Sequence, residues 1–175
     1  MTWPNDRLKT YAANDPVRSN DLNLMQDAII AGQKGTFYPT TPAAGATANT
    51  VGGAAGSYQN GYWLHTTIYE VDYPLHLAVG DRFSAVRVDW YSDGTGSFQL
   101  KLFKRDSTSG GDVVVDTGVG TAGLQTEAIG TTGQRLATYA LTAPVTVAAG
   151  EYYYMRVYAD GSQRSYGVTP TADHP

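Results

Sequence analysis

Phe83 to Arg105, FSAVRVDWYSDGTGSFQLKLFKR, is the stretch whose reading decides the fold. Two alternating runs flank a glycine-rich turn, the pattern of two β-strands. Val86, Val88 and Trp90 share one face of the first run, with Arg87 and Asp89 on the other. Phe98, Leu100 and Leu102 share one face of the second, with Gln99 and Lys101 opposite. Folding the chain about Gly94 predicts a β-hairpin in which Trp90 meets Phe98, Val88 meets Leu100 and Val86 meets Leu102. A slip of one residue would turn one strand's apolar face to water, so the register is specified. The other face is polar, as in an antiparallel sheet with one wet side.

Working outward, Tyr62 to Val71 is rich in Thr, Ile and aromatic residues and predicts a strand. Tyr73 to Asp81 predicts a short strand or a crossing loop. Beyond Arg105 come a polar turn, a short strand over Val113 to Val115, and a Gly/Thr-rich loop from Thr117 to Gly133. Gln134 to Thr142 predicts a strand that continues through Val145 to Val147. Ala149-Gly150 turns the chain into the strong strand Glu151 to Tyr158, and Ser165 to Thr169 predicts a last edge strand. About eight strands with turn signals every 8–12 residues are the pattern of a sandwich. The fold class expected is all-β: an antiparallel, jelly-roll-like β-sandwich over 61–175.

Composition agrees. The chain has 175 residues, enough for one domain with a sizeable core, and it carries 20 glycines and 13 tyrosines. A net charge of −4 offers no basic stripe for phosphates, so no nucleic-acid partner is expected. There is no cysteine, which excludes disulfides and thiolate metal sites. The segment MTWPNDRLKT has no apolar core of a signal peptide, and no window is long and apolar enough for membrane insertion.

The first 60 residues read differently. Met1 to Arg18 is polar, with prolines at 4 and 16, and predicts an extended arm. Ser19 to Gly35 predicts one short α-helix, capped by Ser19 or Asn20, with Leu22, Met25 and Ile29 along one stripe. A helix of about 12 residues is marginal alone and must dock on something. Either its own domain or a partner would serve; 1–35 is read as an arm and docking helix, with Leu22, Met25 and Ile29 as the docking residues. Residues 36–60, all Ala, Gly, Thr, Pro and other uncharged types, predict a linker.

No chemistry of catalysis stands out. His65, His76 and His174 have no partner at metal-ligand spacing, and His65 and His76 fit solvent-facing strand positions. Glu70 and Asp72 share a strand face as solvated acids. Ser92 to Ser97 has one carboxylate, too few for calcium, and a turn explains it. No GxSxG elbow is present. The expectation is no enzyme, no catalytic residue, no metal and no cofactor. Tyrosine is the over-represented side chain with functional potential. Alternation puts Tyr153, Met155 and Val157 on one face, and Tyr152, Tyr154, Arg156 and Tyr158 on the other. Three tyrosines and an arginine suit a protein interface or stacking on sugars, unless the strand is central and both faces are covered.

Asp15-Pro16-Val17-Arg18-Ser19-Asn20-Asp21-Leu22-Asn23-Leu24-Met25-Gln26-Asp27-Ala28-Ile29-Ile30-Ala31 is similar to the helix that opens many tailed-phage tail-fibre and appendage proteins. Pro74 to Leu77, Val79 to Phe83, the 83–105 pair and Gly150 to Val157 resemble the β-sandwich modules of such fibres, spikes and decoration proteins. The resemblance implies a non-enzymatic virion structural protein, made in the host cytoplasm, located on the particle surface and commonly a homotrimer. It also implies other virion proteins and a host surface glycan as partners. The alternative expectation is a carbohydrate-binding module using surface aromatics.

Overall fold

The computed structural model describes residues 36–37, 40–49, 56–66, 69–106 and 110–173. The predicted arm and helix, with Leu22, Met25 and Ile29, lie outside the described residues. Thr36–Pro175 forms one compact unit. It contains thirteen strands among the described residues: β1 (Thr36–Phe37), β2 (Thr41–Pro42), β3 (Thr47–Asn49), β4 (Gly56–Gln59), β5 (Tyr62–His65), β6 (Tyr69–Pro74), β7 (Arg82–Ser92), β8 (Phe98–Asp106), β9 (Asp112–Val114), β10 (Leu124–Glu127), β11 (Gly133–Thr146), β12 (Glu151–Ala159) and β13 (Gln163–Asp173). A 3₁₀ turn spans Ala43–Gly45.

The strands form two antiparallel sheets. The back sheet runs β11-β7-β13-β5-β4, with β1 and β2 also on β13. The front sheet runs β10-β8-β12-β6-β3, with β9 also on β8. The expected all-β, jelly-roll-like sandwich is therefore what the chain forms. Between the sheets Trp90, Tyr73, Tyr139, Phe83, Phe98, Leu100, Leu102 and Met155 are fully buried. Burial of each large apolar side chain stabilises the sandwich by about 1.5–3 kcal/mol.

The predicted 83–105 hairpin does not form. β7 lies between β11 and β13 in the back sheet, and β8 between β10 and β12 in the front sheet. Trp90 and Phe98 do meet, stacked with centroids 4.1 Å apart and planes 9° from parallel, but across the core. Two strands with one apolar face each satisfy those faces equally well side by side or face to face. The arch between them uses Gly94 and Gly96 at φ of 88° and 75°. It is held by the Asp160 carboxylate, which accepts from the Ser97 backbone N–H. A Cβ on Gly96 would lie 2.7 Å from the Asp160 carbonyl oxygen, so only glycine fits there.

The same crossing occurs earlier. The single strand expected over Tyr62 to Val71 divides into β5 in the back sheet and β6 in the front. The 117–133 stretch, expected without regular structure, supplies β10. β13, expected at an edge, is flanked by β7 on one side and by β5, β2 and β1 on the other. Of residues 36–60, expected as a linker, β1, β2 and β4 pair in the back sheet and β3 pairs with β6. Gly167 admits β2 at close range, since a Cβ there would sit 2.8 Å from the Thr41 carbonyl oxygen.

Candidate functional site

His65 is not solvent-facing as expected. It is buried, with Nε2 2.9 Å from Ser165 Oγ, and the Tyr73 hydroxyl donates to that oxygen at 2.7 Å. Burial pushes the Tyr73 hydroxyl pKa well above its usual value. These three polar groups satisfy one another inside the core, sealed from any substrate. His76 is exposed. Asp93 serves the arch, where its Oδ1 accepts from the Thr95 backbone N–H at 2.9 Å and from Gln163 Nε2 at 2.8 Å. Among the described residues no three metal-ligating side chains converge.

The outer face of the front sheet gathers the tyrosine stripe. The strand period puts Tyr152, Tyr154, Arg156 and Tyr158 of β12 outward, opposite Arg105, Phe103, Lys101 and Gln99 of β8. On the other flank Arg156 lies opposite Asp72 and Tyr158 opposite Glu70. Arg156 donates from Nε and Nη2 to the two oxygens of Asp72 at 2.6 and 2.8 Å, and its Nη1 is 3.4 Å from Glu70. This two-pronged hydrogen bond raises the Arg156 pKa above its usual value, with burial opposing it. The supposed pair of solvated acids is thus the cradle of one arginine.

That guanidinium lies over two rings, 4.8 Å from the Phe103 centroid and 5.4 Å from that of Tyr154. The rings are themselves stacked, 5.4 Å apart and 12° from parallel. Tyr154 and Phe103 are buried at 9 % and 8 % exposure, and burial pushes the Tyr154 hydroxyl pKa up. The stripe divides accordingly. Tyr154, Phe103 and Arg156 make a rigid bed, while Tyr152 stands beside it at 64 % exposure. Next to Tyr152 in the ladder is Arg105, which grips Asp112 through two hydrogen bonds of 2.8 and 3.0 Å. That bond holds the Asp112 carboxyl below its usual pKa.

A second aromatic group, missed in the sequence, occupies the outer face of the back sheet. Arg164 lies 4.7 Å from the Tyr91 ring and 5.1 Å from that of Tyr62, and Tyr62 meets Tyr166 edge-on at 5.7 Å. Polar-face positions of Tyr62, Tyr91 and Tyr166 were readable, but not their convergence, because β5, β7 and β13 are far apart in sequence. Here the arginine already covers ring faces. Tyr152 is the more open platform.

No family model matches the chain, and no curated protein matches it. Solved structures do. A low-affinity xylan-binding module, CBM86, from the gut symbiont Roseburia intestinalis is 16 % identical over 78 % of this chain and 96 % of its own, with a TM-score of 0.50. The C-terminal CBM6 of a laminarinase from Zobellia galactanivorans is 12 % identical over 78 % and 99 %, with a TM-score of 0.45. The xylan-binding module CBM15 is 12 % identical over 79 % and 96 %, with a TM-score of 0.42. At these identities the first likeness is one of fold, the β-sandwich.

These findings correct the resemblance to tailed-phage fibre, spike and decoration proteins. CBM86, whose sandwich fold this chain shares, is a xylan-binding module and not a particle component. The virion structural role that the resemblance implied falls with it, and the likeness lends no support to the virion partners or the homotrimer. The pattern of alternating strands and Gly-rich turns on which the body resemblance rested is common to β-sandwiches of many functions.

Proposed function

We propose that this chain is a non-catalytic carbohydrate-binding module that holds a glycan along the outer face of its front sheet. The observation that carries this reading is the exposed Tyr152 ring beside a rigid bed of Tyr154, Phe103 and Arg156. Sugar rings offer an apolar C–H face and a rim of hydroxyl groups. An open tyrosine ring stacks on the first, and charged pairs such as Arg105 and Asp112 hydrogen-bond the second. The bed is stiff before any ligand arrives, because Arg156 is fixed by Asp72 and Glu70, so little ordering opposes binding.

The shared fold suggests the first test ligand. Xylan, β-1,4-galactan, β-1,4-mannan and laminarin are cast into native gels, and migration of the wild-type chain is compared with that of Tyr152→Ala. Retardation by at least one polysaccharide, lost in Tyr152→Ala and weakened in Arg105→Ala, is the expected result. Unchanged retardation in both variants would move the site off this face. No retardation in any gel would count against glycan binding itself.

A further inference from the structure

β11 ends the back sheet: β7 pairs with one side of it, and among the described residues no strand pairs with the other. Pro170 shows which groups lie on that free side. It has no N–H to give and stands opposite Val86, so Val86 turns its N–H and carbonyl to Tyr139 of β11. Antiparallel pairing alternates, so Arg135 and Ala137 also face β7. Gln134, Leu136 and Thr138 therefore direct their backbone groups away from it. The Thr138 carbonyl agrees, since it accepts from Gln125 Nε2 of β10 at 3.0 Å. An open edge of this kind is a template for another strand, and natural sheets guard theirs with charges, prolines or cover.

Here the guard covers only the far half of β11. Asp116 takes the Thr142 backbone N–H and hydroxyl at 2.6 and 2.8 Å, and Pro144 follows. Before that point the outward side chains are Gln134, Leu136 and Thr138, none of them charged. Leu136 is 55 % exposed, a large apolar side chain on a bare edge. Gln134 and Leu136 also border a cleft of about 320 Å³ between β10 and β11, so open space runs along this stretch. Arg135 points to the opposite face and is tied down, its Nη2 donating to the Thr131 carbonyl at 2.7 Å.

We infer that this edge is an interface between two copies of the chain, joined by antiparallel pairing of β11 with β11 of the second copy about a two-fold axis at Leu136. The sequence of β11 selects both the occupant and the register. Leu136 meets Leu136 of the copy and exchanges both backbone bonds with it, so the two exposed side chains cover each other. Gln134 meets Thr138, whose carbonyl has a second lone pair beside the one Gln125 uses. Arg135 meets Ala137. Moving the axis to Arg135 would set two like charges directly opposite, which is destabilising. Pairing ends at residue 139, before the Asp116 guard at Thr142. A ladder this short buries less than a standard interface, so the dimer is weak and reversible. The axis stands perpendicular to the sheets, and both front sheets face the same way. On the glycan-binding reading above, on which this consequence rests, two Tyr152 faces then share one polysaccharide, the second contact forming at high effective concentration.

The chain has no cysteine, so introduced cysteines report the register. Hydrogen-bonded residues of an antiparallel pair have Cα atoms about 5.5 Å apart, within disulfide range. Under mild oxidation Leu136→Cys should give a disulfide-linked dimer. Thr138→Cys alone should not, but should cross-link when mixed with Gln134→Cys. Sedimentation of the full chain should show a reversible monomer–dimer equilibrium between micromolar and near-millimolar concentration. Leu136→Lys should abolish it by setting like charges together, with the melting temperature unchanged because the side chain is exposed. A chain that stays monomeric over that range leaves the edge to a strand from another protein and overturns the self-pairing. A dimer that survives Leu136→Lys, or cross-links equally from Thr138→Cys alone, overturns it too. If the dimer forms as described and no polysaccharide retards the chain, the interface stands and the glycan reading fails. If Tyr152-dependent retardation is seen with a strictly monomeric chain, the reverse holds.

Discussion

Removing Arg156 while keeping its stem, as Arg156→Met, should destabilise the sandwich substantially. The side chain is 13 % exposed, and its partners Glu70 and Asp72 are 22 % and 23 % exposed. Breaking a fully buried pair from one side costs about 3–5 kcal/mol, whereas an exposed pair is worth about 0–1. Groups covered over roughly four-fifths of their surface lie between these limits, at about 2–3 kcal/mol. Part of that loss is the attraction of the guanidinium to the Phe103 and Tyr154 rings. The remainder is the Asp72 and Glu70 carboxylates left side by side without the guanidinium between them. For a chain of this size each kcal/mol moves the melting temperature by about 2–4 °C, so a drop of about 4–12 °C is expected by calorimetry. Asp72→Asn should be milder, and the double variant should lose clearly less than the sum of the two, because the residues are in contact. An Arg156→Met protein melting within about 1 °C of wild type, or strictly additive losses, would refute the cradle as described.

Leu100→Ala should cost about 2–5 kcal/mol in urea melts, since Leu100 is fully buried, and Gln99→Ala on the outer face should stay within about 0.5. Gly167→Ala should destabilise by about 1–3 kcal/mol by forcing β2 away from β13, whereas the same change at Gly111, with nothing near its Cβ, should be nearly silent. Asp116 accepts from the Thr142 backbone N–H at 2.6 Å and its hydroxyl at 2.8 Å, which hold its carboxyl below the usual pKa. A lowered folded pKa contributes stability above the unfolded value that is lost as pH falls. Asp116→Asn should therefore melt lower at neutral pH, with the gap closing as pH drops below about 4.

The alternation in Val86, Val88, Trp90 and in Phe98, Leu100, Leu102 was legible because a period of two reports burial directly, and all six are in the core. What alternation cannot report is the partner. The same faces meet whether β7 and β8 pair in one sheet or oppose across two, so the arch was read as a hairpin. β1 to β4 escaped notice because short strands of small uncharged residues need only backbone partners, supplied by β13, β5 and β6. His65 looked like a wet position because its partners, Ser165 and Tyr73, lie far off in sequence. The faces of the tyrosine stripe followed from the strand period, but the division into a covered bed and an open Tyr152 depends on Asp72, Glu70 and Phe103 converging from other strands. Trp90 was read as a core anchor, which it is.

The placement of β13 has a consequence for how the chain is made. Synthesis proceeds from the N-terminal side, so the strand that bridges β7 to β5 is translated after β1 to β12. Until residues 163–173 clear the ribosome, β7 has β11 as its sole ladder neighbour and the back sheet exists as two separate fragments. Contacts between segments this distant in sequence form slowly. A nascent chain paused just before Gln163 therefore holds Phe83, Val86, Val88 and Trp90 on an unfinished sheet. That is the moment at which a holding chaperone has most to grip and aggregation has its best opportunity.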